Sequence, residues 1–374
     1  MQQQNQSSAN ANEIKCINCG GTLTFNPGVQ MLKCQYCSAE NEIIVDKEAN
    51  VEEQDFHKFI EGLENEAEKE QVNTVSCNAC GATTTFDENV VADSCPFCDT
   101  QLVATEGTTK DIIRPQSLLP FKIETSTAHA MFKTWIKKRW FAPSKLKKYA
   151  RQEEKLAGIY IPYWTYDSNT TTDYSGQRGD DYQENETYQT TDDEGNSVQE
   201  TRTVTKTRWT SVRGTVTQFF NDVLVLASRS LPKKKTDKLE PWDLENLVPF
   251  DSSYLSGFKA ESYQVSLEEG FKEAKARMEK KIREKIKRDI GGDHQQIHSV
   301  KTGYNNLTFK HLLLPVWLSS YRFKNKVYQF MVNGRTGEVQ GERPYSALKI
   351  ILTILLGLAI LGGGGYLIYE YAIK

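Results

Sequence analysis

The hydrophobic positions change rhythm several times along the chain. Between 350 and 368 the sequence IILTILLGLAILGGGGYLI carries no charge, and it is long enough to cross a bilayer as one helix. Arg343 and Lys349 stand before it, and Tyr366, Tyr369 and Tyr371 stand near its far end. The pattern predicts a tail-anchored, single-pass segment over 346–374, with the bulk of the chain cytoplasmic by the positive-inside rule. The competing reading is a buried core helix. Ala359 and Gly363 are spaced for close helix packing, which points to a homo-oligomer through this span.

Upstream the apolar positions are shorter and mixed. The spacing predicts a helix over 126–141, with Met131, Phe132, Trp135 and Ile136 on one face and Pro143 ending it. GIYIPYWTYD then reads as an aromatic strand. The stretch 167–200 is rich in Thr, Asp, Gly and Gln and shows no apolar period, so it reads as a mobile insertion. VQETRTVTKTRWT and VRGTVTQFFNDVLVLAS alternate like the two strands of a hairpin. LLLPVWLSSYRF and KVYQFMVNGRTGEVQGERP form a second β region, with turn signals at Asn333-Gly334 and Thr336-Gly337. The phrases IPYW and LPVW open the two β regions and suggest a diverged duplication. Over Leu267–Ile290 the apolar stripe Phe271, Ala274, Met278, Ile282, Ile286 and Ile290 recurs at helical spacing among many Lys and Arg residues. Such a helix packs on a sheet or lies on a membrane surface. A second basic stretch runs over 133–155. Together these elements predict an α+β, β-rich body over 107–345.

The first hundred residues differ. All eight cysteines fall in four Cys-x-x-Cys pairs: Cys16/Cys19, Cys34/Cys37, Cys77/Cys80 and Cys95/Cys98. The second set repeats the first, CINCGGTLTFNPGVQMLKCQYC against CNACGATTTFDENVVADSCPFC, as an internal duplication does. Two thiolates two residues apart grip one ion from a tight turn, and Gly20 and Gly81 sit where that turn needs a residue without a Cβ. Four thiolates suit Zn²⁺ and leave no open position, so the sites are structural rather than catalytic. Iron, held by the same ligands in rubredoxin-like sites, is the alternative metal. The sequence thus predicts zinc ribbons over 14–46 and 74–106, each with its own structural ion, unless the halves cross-pair into one unit. The leader 1–13, MQQQNQSSANANE, has no apolar segment and reads as disordered. The Glu-rich linker 47–73 carries Phe56, Phe59, Ile60 and Leu63 at helical spacing, as an amphipathic docking helix or a solvated spacer.

Charge changes what the ribbons can bind. The formal net charge of -3 hides a head, through Thr109, with 5 basic and 18 acidic residues. Each four-thiolate zinc centre lowers its charge by a further two. Between 74 and 106 there is no Lys or Arg, whereas phosphate contacts need them. A protein partner therefore fits this head better than nucleic acid, and a nucleic-acid-binding role at the membrane through the basic body is the alternative. The opposite charges also suggest that head and body dock through Leu267–Ile290. No phosphate loop, dinucleotide fingerprint, H-E-x-x-H or G-x-S-x-G occurs. His57, His129, His294, His298 and His311 form no ligand set, so the reading is a non-enzyme.

With paired ribbons, the IPYW and LPVW phrases, the VNGRTGEVQGERP hairpin and the terminal span in place, the chain resembles a bacterial family over most of its length. These are membrane-anchored TFIIB-type double-zinc-ribbon proteins, often labelled "primosomal protein N′ (replication factor Y), superfamily II helicase". The helicase label rests on the zinc cysteines, since no ATPase motif accompanies them. The resemblance implies that the eight cysteines are zinc ligands and that phage-shock-protein A-like membrane-stress factors are partners. The expected function is a membrane-anchored adaptor for protein–protein interaction at the cytoplasmic face.

Overall fold

The computed structural model describes residues 14–43, 53–62, 69–85, 92–98, 100–103, 108–143, 156–191, 193, 195–323 and 326–373. The leader 1–13, parts of the linker 47–73 and most of the basic stretch beyond 143 lie outside the described residues. The chain is α+β: two small four-cysteine modules, a β-rich body, and one C-terminal apolar helix, Ala347–Ile373.

One mixed sheet carries the body. Its strands lie in the order Ser197–Phe220, Ala157–Thr191, His294–Phe323, Ser117–Leu118, Val248–Pro249. Lys326–Asn333 returns along His294–Phe323 through the second β region, and Gly337 takes the positive φ its turn needs, +79°. Side chains alternate across the sheet. Ile159, Ile161, Leu312, Leu314 and Val316 enter one core, while Tyr160, Leu313, Trp317 and Phe330 enter another on the opposite face.

Within the stretch 167–200 the residues through Thr191 and from Ser197 are strand, not an insertion without structure. Residues from Ser168 to Thr191 pair continuously with Ser197–Phe220. The two segments expected to form a hairpin with each other are instead, through Phe220, one strand, the second arm of this longer hairpin. The apolar period is missing because polar residues occupy the inward positions. Ser168, Thr170 and Thr172 are buried at alternate positions, and their hydroxyls are satisfied across the ladder: Thr170 Oγ1 donates to Gln218 O at 2.8 Å, and Thr172 Oγ1 lies 3.0 Å from Thr302 Oγ1. Toward the tip, exposed cross-strand pairs replace burial: Lys206 bridges Glu184 and Glu186, and Arg202 lies over Tyr188.

The helix Leu267–Ile290 packs on this sheet. Ser266 and Glu269 form a capping box, and the stripe from Phe271 to Ile290 is buried against Trp164, Tyr166, Tyr174 and Phe309. Most of its basic residues face solvent around that seam, while Arg277 is half-buried in ion pairs with Asp237, Glu240 and Glu273. The helix expected over 126–141 spans Thr125–Lys137, with Phe132 and Ile136 buried.

The diverged duplication is visible in the bonds. Ile161 faces Leu314 across the antiparallel ladder, so Pro162 and Pro315 are placed symmetrically about that pair. Trp164 Nε1 donates to Val265 O at 2.9 Å, and Trp317 Nε1 donates to Ile123 O at 2.9 Å. Each of those carbonyls lies one residue before a helix N-cap, Ser266 and Glu124. The amides of Gln264 and Val265 share Ala227 O, as those of Lys122 and Ile123 share Gly334 O. Lys259–Ala260 and Ser117–Leu118 each pair in parallel with the long strand of the other half. The body is thus two copies of a strand–helix–long-strand–return-strand unit, joined by their long strands.

Candidate metal centres

Each cysteine set closes within its own half, so the halves do not cross-pair. Leu23–Asn26 and Met31–Cys34 form the hairpin that brings Cys34 and Cys37 to Cys16 and Cys19. In the second module Ala92–Ser94 and Gln101–Val103 flank Cys95 and Cys98, opposite the turn of Cys77 and Cys80. The knuckles repeat. Gly20 N donates to Cys16 O at 2.8 Å and Gly81 N to Cys77 O at 2.7 Å, with φ of +72° and +78°. A side chain there would be strained, which is why glycine follows each first pair.

Within each cluster the four sulfurs lie within 4.8 Å of one another. Cys16–Cys37 and Cys19–Cys34 are 3.7 and 3.5 Å apart, and Cys77–Cys98 and Cys80–Cys95 are 3.5 and 3.7 Å apart. A disulfide would bring sulfurs to ~2.05 Å. Four Zn–S bonds of ~2.3 Å make a tetrahedron with edges of ~3.8 Å. The spacing therefore fits a tetrahedral ion. The coupled thiols split: the Cys37 amide draws the Cys34 thiol down to about 6 and the hydrogen bond from Cys80 draws Cys95 down to about 5, while Cys80, paired with Cys95, is pushed up, as is Cys19 beside Cys37 and Cys34. Among the described residues no histidine or carboxylate joins either set. His311 is buried elsewhere, its ring 4.7 Å from Trp164 and its Nδ1 2.8 Å from Ile113 O.

The two modules differ in what surrounds them. In the second, Cys77, Cys95 and Cys98 are buried, and Phe97 packs into the same core as Ile161, Leu312 and Met331. In the first, Cys16 and Cys34 are buried with Leu23, Phe25 and Leu32 against Tyr254 and Phe258, but Cys19 and Cys37 are exposed. The modules sit on opposite faces of the sheet. Both are held by apolar packing and backbone bonds to the segment before Leu267–Ile290: Phe25 N donates to Ser256 O at 2.9 Å and Ser262 N to Thr83 O at 3.3 Å. The expected charge-driven docking on the helix itself is not what joins them. The second module also extends past its expected edges, since Lys69–Ser76 pairs with Thr108–Ile113.

The chain is 30% identical over 252 residues to a Bacillus subtilis (strain 168) protein named "Uncharacterized protein YdjG". The match covers 64% of this chain and 66% of that protein, just under two thirds of its length. No protein family model and no solved structure matches.

Two features escaped sequence reading. One is a charged seam under the linker. Lys310, almost wholly buried, lies 3.0 Å from Glu53 Oε1 and 2.8 Å from Asp222 Oδ1, and Asp222 N donates to Asp167 Oδ1 at 2.8 Å. Burial, then the neighbouring Glu53, push the Asp167 carboxyl up to about 7. Beside this seam the linker is tied to the body: Gln54–Asp55 pairs with Thr308 and Phe309, and Phe56 of the helix Phe56–Ile60 packs on Phe271. The other is a basic cavity near the C-terminal helix. That helix has an 18-residue stretch, Ala347–Gly364, long and apolar enough to cross a membrane and with none of its residues buried. Its first turn is clamped: Ser346 N donates to Phe141 O, and Lys349 Nζ donates to Trp140 O and Ala142 O at 3.1 and 2.8 Å.

Proposed function

We propose that this protein is a membrane-anchored adaptor whose two ribbons are structural zinc modules, with the first displaying a protein-binding surface in the cytoplasm. The carrying observation is the asymmetry between the ribbons. Ile17 and Tyr36, one in each knuckle of the first, are 94% and 79% exposed, while Phe97 in the second is 0% exposed. Exposed apolar side chains held by a rigid metal knuckle make a preorganised contact point. The second ribbon, sealed in the core, stabilises the body instead. The apolar helix would carry the anchor, with Arg343 and Lys349 on the cytoplasmic side.

The family resemblance supports the ribbons and the anchor, and it implies phage-shock-protein A-like factors as partners. Its helicase label finds no support, and we propose that the protein is not an enzyme. The test is a photo-crosslinking amino acid at position 36 in native membranes, with one at Lys280 as control. A discrete protein adduct from position 36 alone is expected. No adduct there, or the same adducts from both positions, would remove the adaptor role.

A further inference from the structure

Near the start of the apolar helix lies a cavity of about 410 Å³, within the ~300–1,000 Å³ span of small-ligand sites. Four cations line it: Arg139, which follows the first body helix, Lys235 of the short helix Lys233–Thr236, Lys326 of the return strand, and Arg343. Glu342 is the one acid in the lining, so the site carries a net charge of +3. None of the four cations makes an ion pair with a described carboxylate. Three lie over aromatic rings instead: Arg139 is 4.6 Å from the Trp135 ring centre, Arg343 5.1 Å from that of Tyr345, and Lys326 5.3 Å from that of Tyr328. Stacking fixes a cation without neutralising it and leaves its donors free for an anion. Elsewhere in the body the buried cations are matched, as Arg335 is by Asp243 and Lys310 by Glu53 and Asp222.

Position identifies the anion. Arg343 and Tyr345 precede Ala347 by four and two residues, so Arg343 is at most ~14 Å of chain from the helix start. A headgroup layer is ~5–8 Å deep on each side of the hydrocarbon. Trp140, 69% exposed, and Tyr345, 62% exposed, flank the same end of the helix, as interfacial aromatics do. We infer that this cavity binds the phosphate of an anionic phospholipid headgroup, with Arg139 and Arg343 as its principal ligands. The inference rests on the membrane reading of the helix.

Two measurements on the full chain separate the two. Resistance of the membrane-bound protein to alkaline extraction reads the span alone. Titration of the detergent-solubilised protein with short-chain phosphatidylglycerol, phosphatidylcholine or inorganic phosphate, read by thermal shift and native mass spectrometry, reads the cavity. Phosphatidylglycerol should bind about tenfold tighter than phosphatidylcholine. R343Q, and separately the exposed K326Q, should remove that preference, while K280Q on the long helix should keep it. Equal binding of the two lipids, or a preference that survives both cavity variants, overturns the site. Inorganic phosphate binding as tightly as phosphatidylglycerol overturns its assignment to lipid. Release by alkali overturns the span, whatever the titration gives.

Discussion

Asp167 sits where its strand passes from aromatic to polar inward positions, and its carboxyl shares a buried seam with Glu53, Asp222 and the single cation Lys310. Its folded value, about 7, lies above the ordinary 3.8, so the fold favours the protonated acid. The sign follows: this group's contribution is complete below pH ~4 and is lost as pH rises toward 7. Asp167→Asn keeps the shape without the charge. Relative to the wild type it should be close to neutral at pH 4.5 and more stable by about 1–3 kcal/mol at pH 8. Paired denaturant melts at the two pH values measure this, and comparison within each pH cancels the acid sensitivity of the metal sites. A variant equally destabilised at both would remove the argument. At this scale the cysteines were legible because ligand spacing is local. The Asp167 seam was not, because it joins residues from four distant parts of the chain.

At the scale of elements, the long helix was legible and the long hairpin was not, for the same physical reason. Leu267–Ile290 uses apolar residues for its buried stripe, so the period shows in the sequence. The hairpin uses Ser and Thr inward and cross-strand ion pairs outward, so the period is present in burial but not in hydropathy. The helix–sheet contact is closest at Gly270, where an added Cβ would stand 2.9 Å from Trp164 Cδ1 and closer still to the Tyr166 hydroxyl. Both rings are fully buried and cannot give way. Gly270→Ala should therefore cost about 1–3 kcal/mol despite its better helix propensity, as overpacking does. A stabilised variant in chemical denaturation would contradict the close approach. The duplicated unit supplies a matched pair: Trp164→Phe and Trp317→Phe each remove one indole-to-carbonyl bond at a helix entrance. Each should cost about 1–3 kcal/mol, since an orphaned buried carbonyl adds to the lost bond. A cost in only one of them would show that the two helix entrances are not equivalent.

Across the whole molecule the acidic head suggested by composition is not a separate body. Its two four-cysteine modules cover opposite faces of one sheet, and they adjoin only in sequence. Their coupling to the fold therefore differs. Cys77, Cys95 and Cys98 belong to the same apolar cluster as Leu312, Leu314 and Met331, so an ion held there could not leave without opening the core. Cys16 and Cys34 are buried in the opposite cluster, but Cys19 and Cys37 face solvent, so an ion held there would be within reach of a chelator while the fold stays closed. Metal release from the full chain should be biphasic. One equivalent should leave quickly with near-ultraviolet circular dichroism retained, and the second only at the rate of global unfolding. Cys37→Ser should lose the fast phase and melt near the wild type. Cys95→Ser should lose the slow phase and be destabilised by at least about 3 kcal/mol, because a metal site and core packing fail together. Stopped-flow release with a colorimetric chelator, followed by melts of both variants, decides between this and equivalent sites. If both ions leave at one rate, or if Cys37→Ser is the more damaging change, the second ribbon is not the structural keystone that its burial indicates.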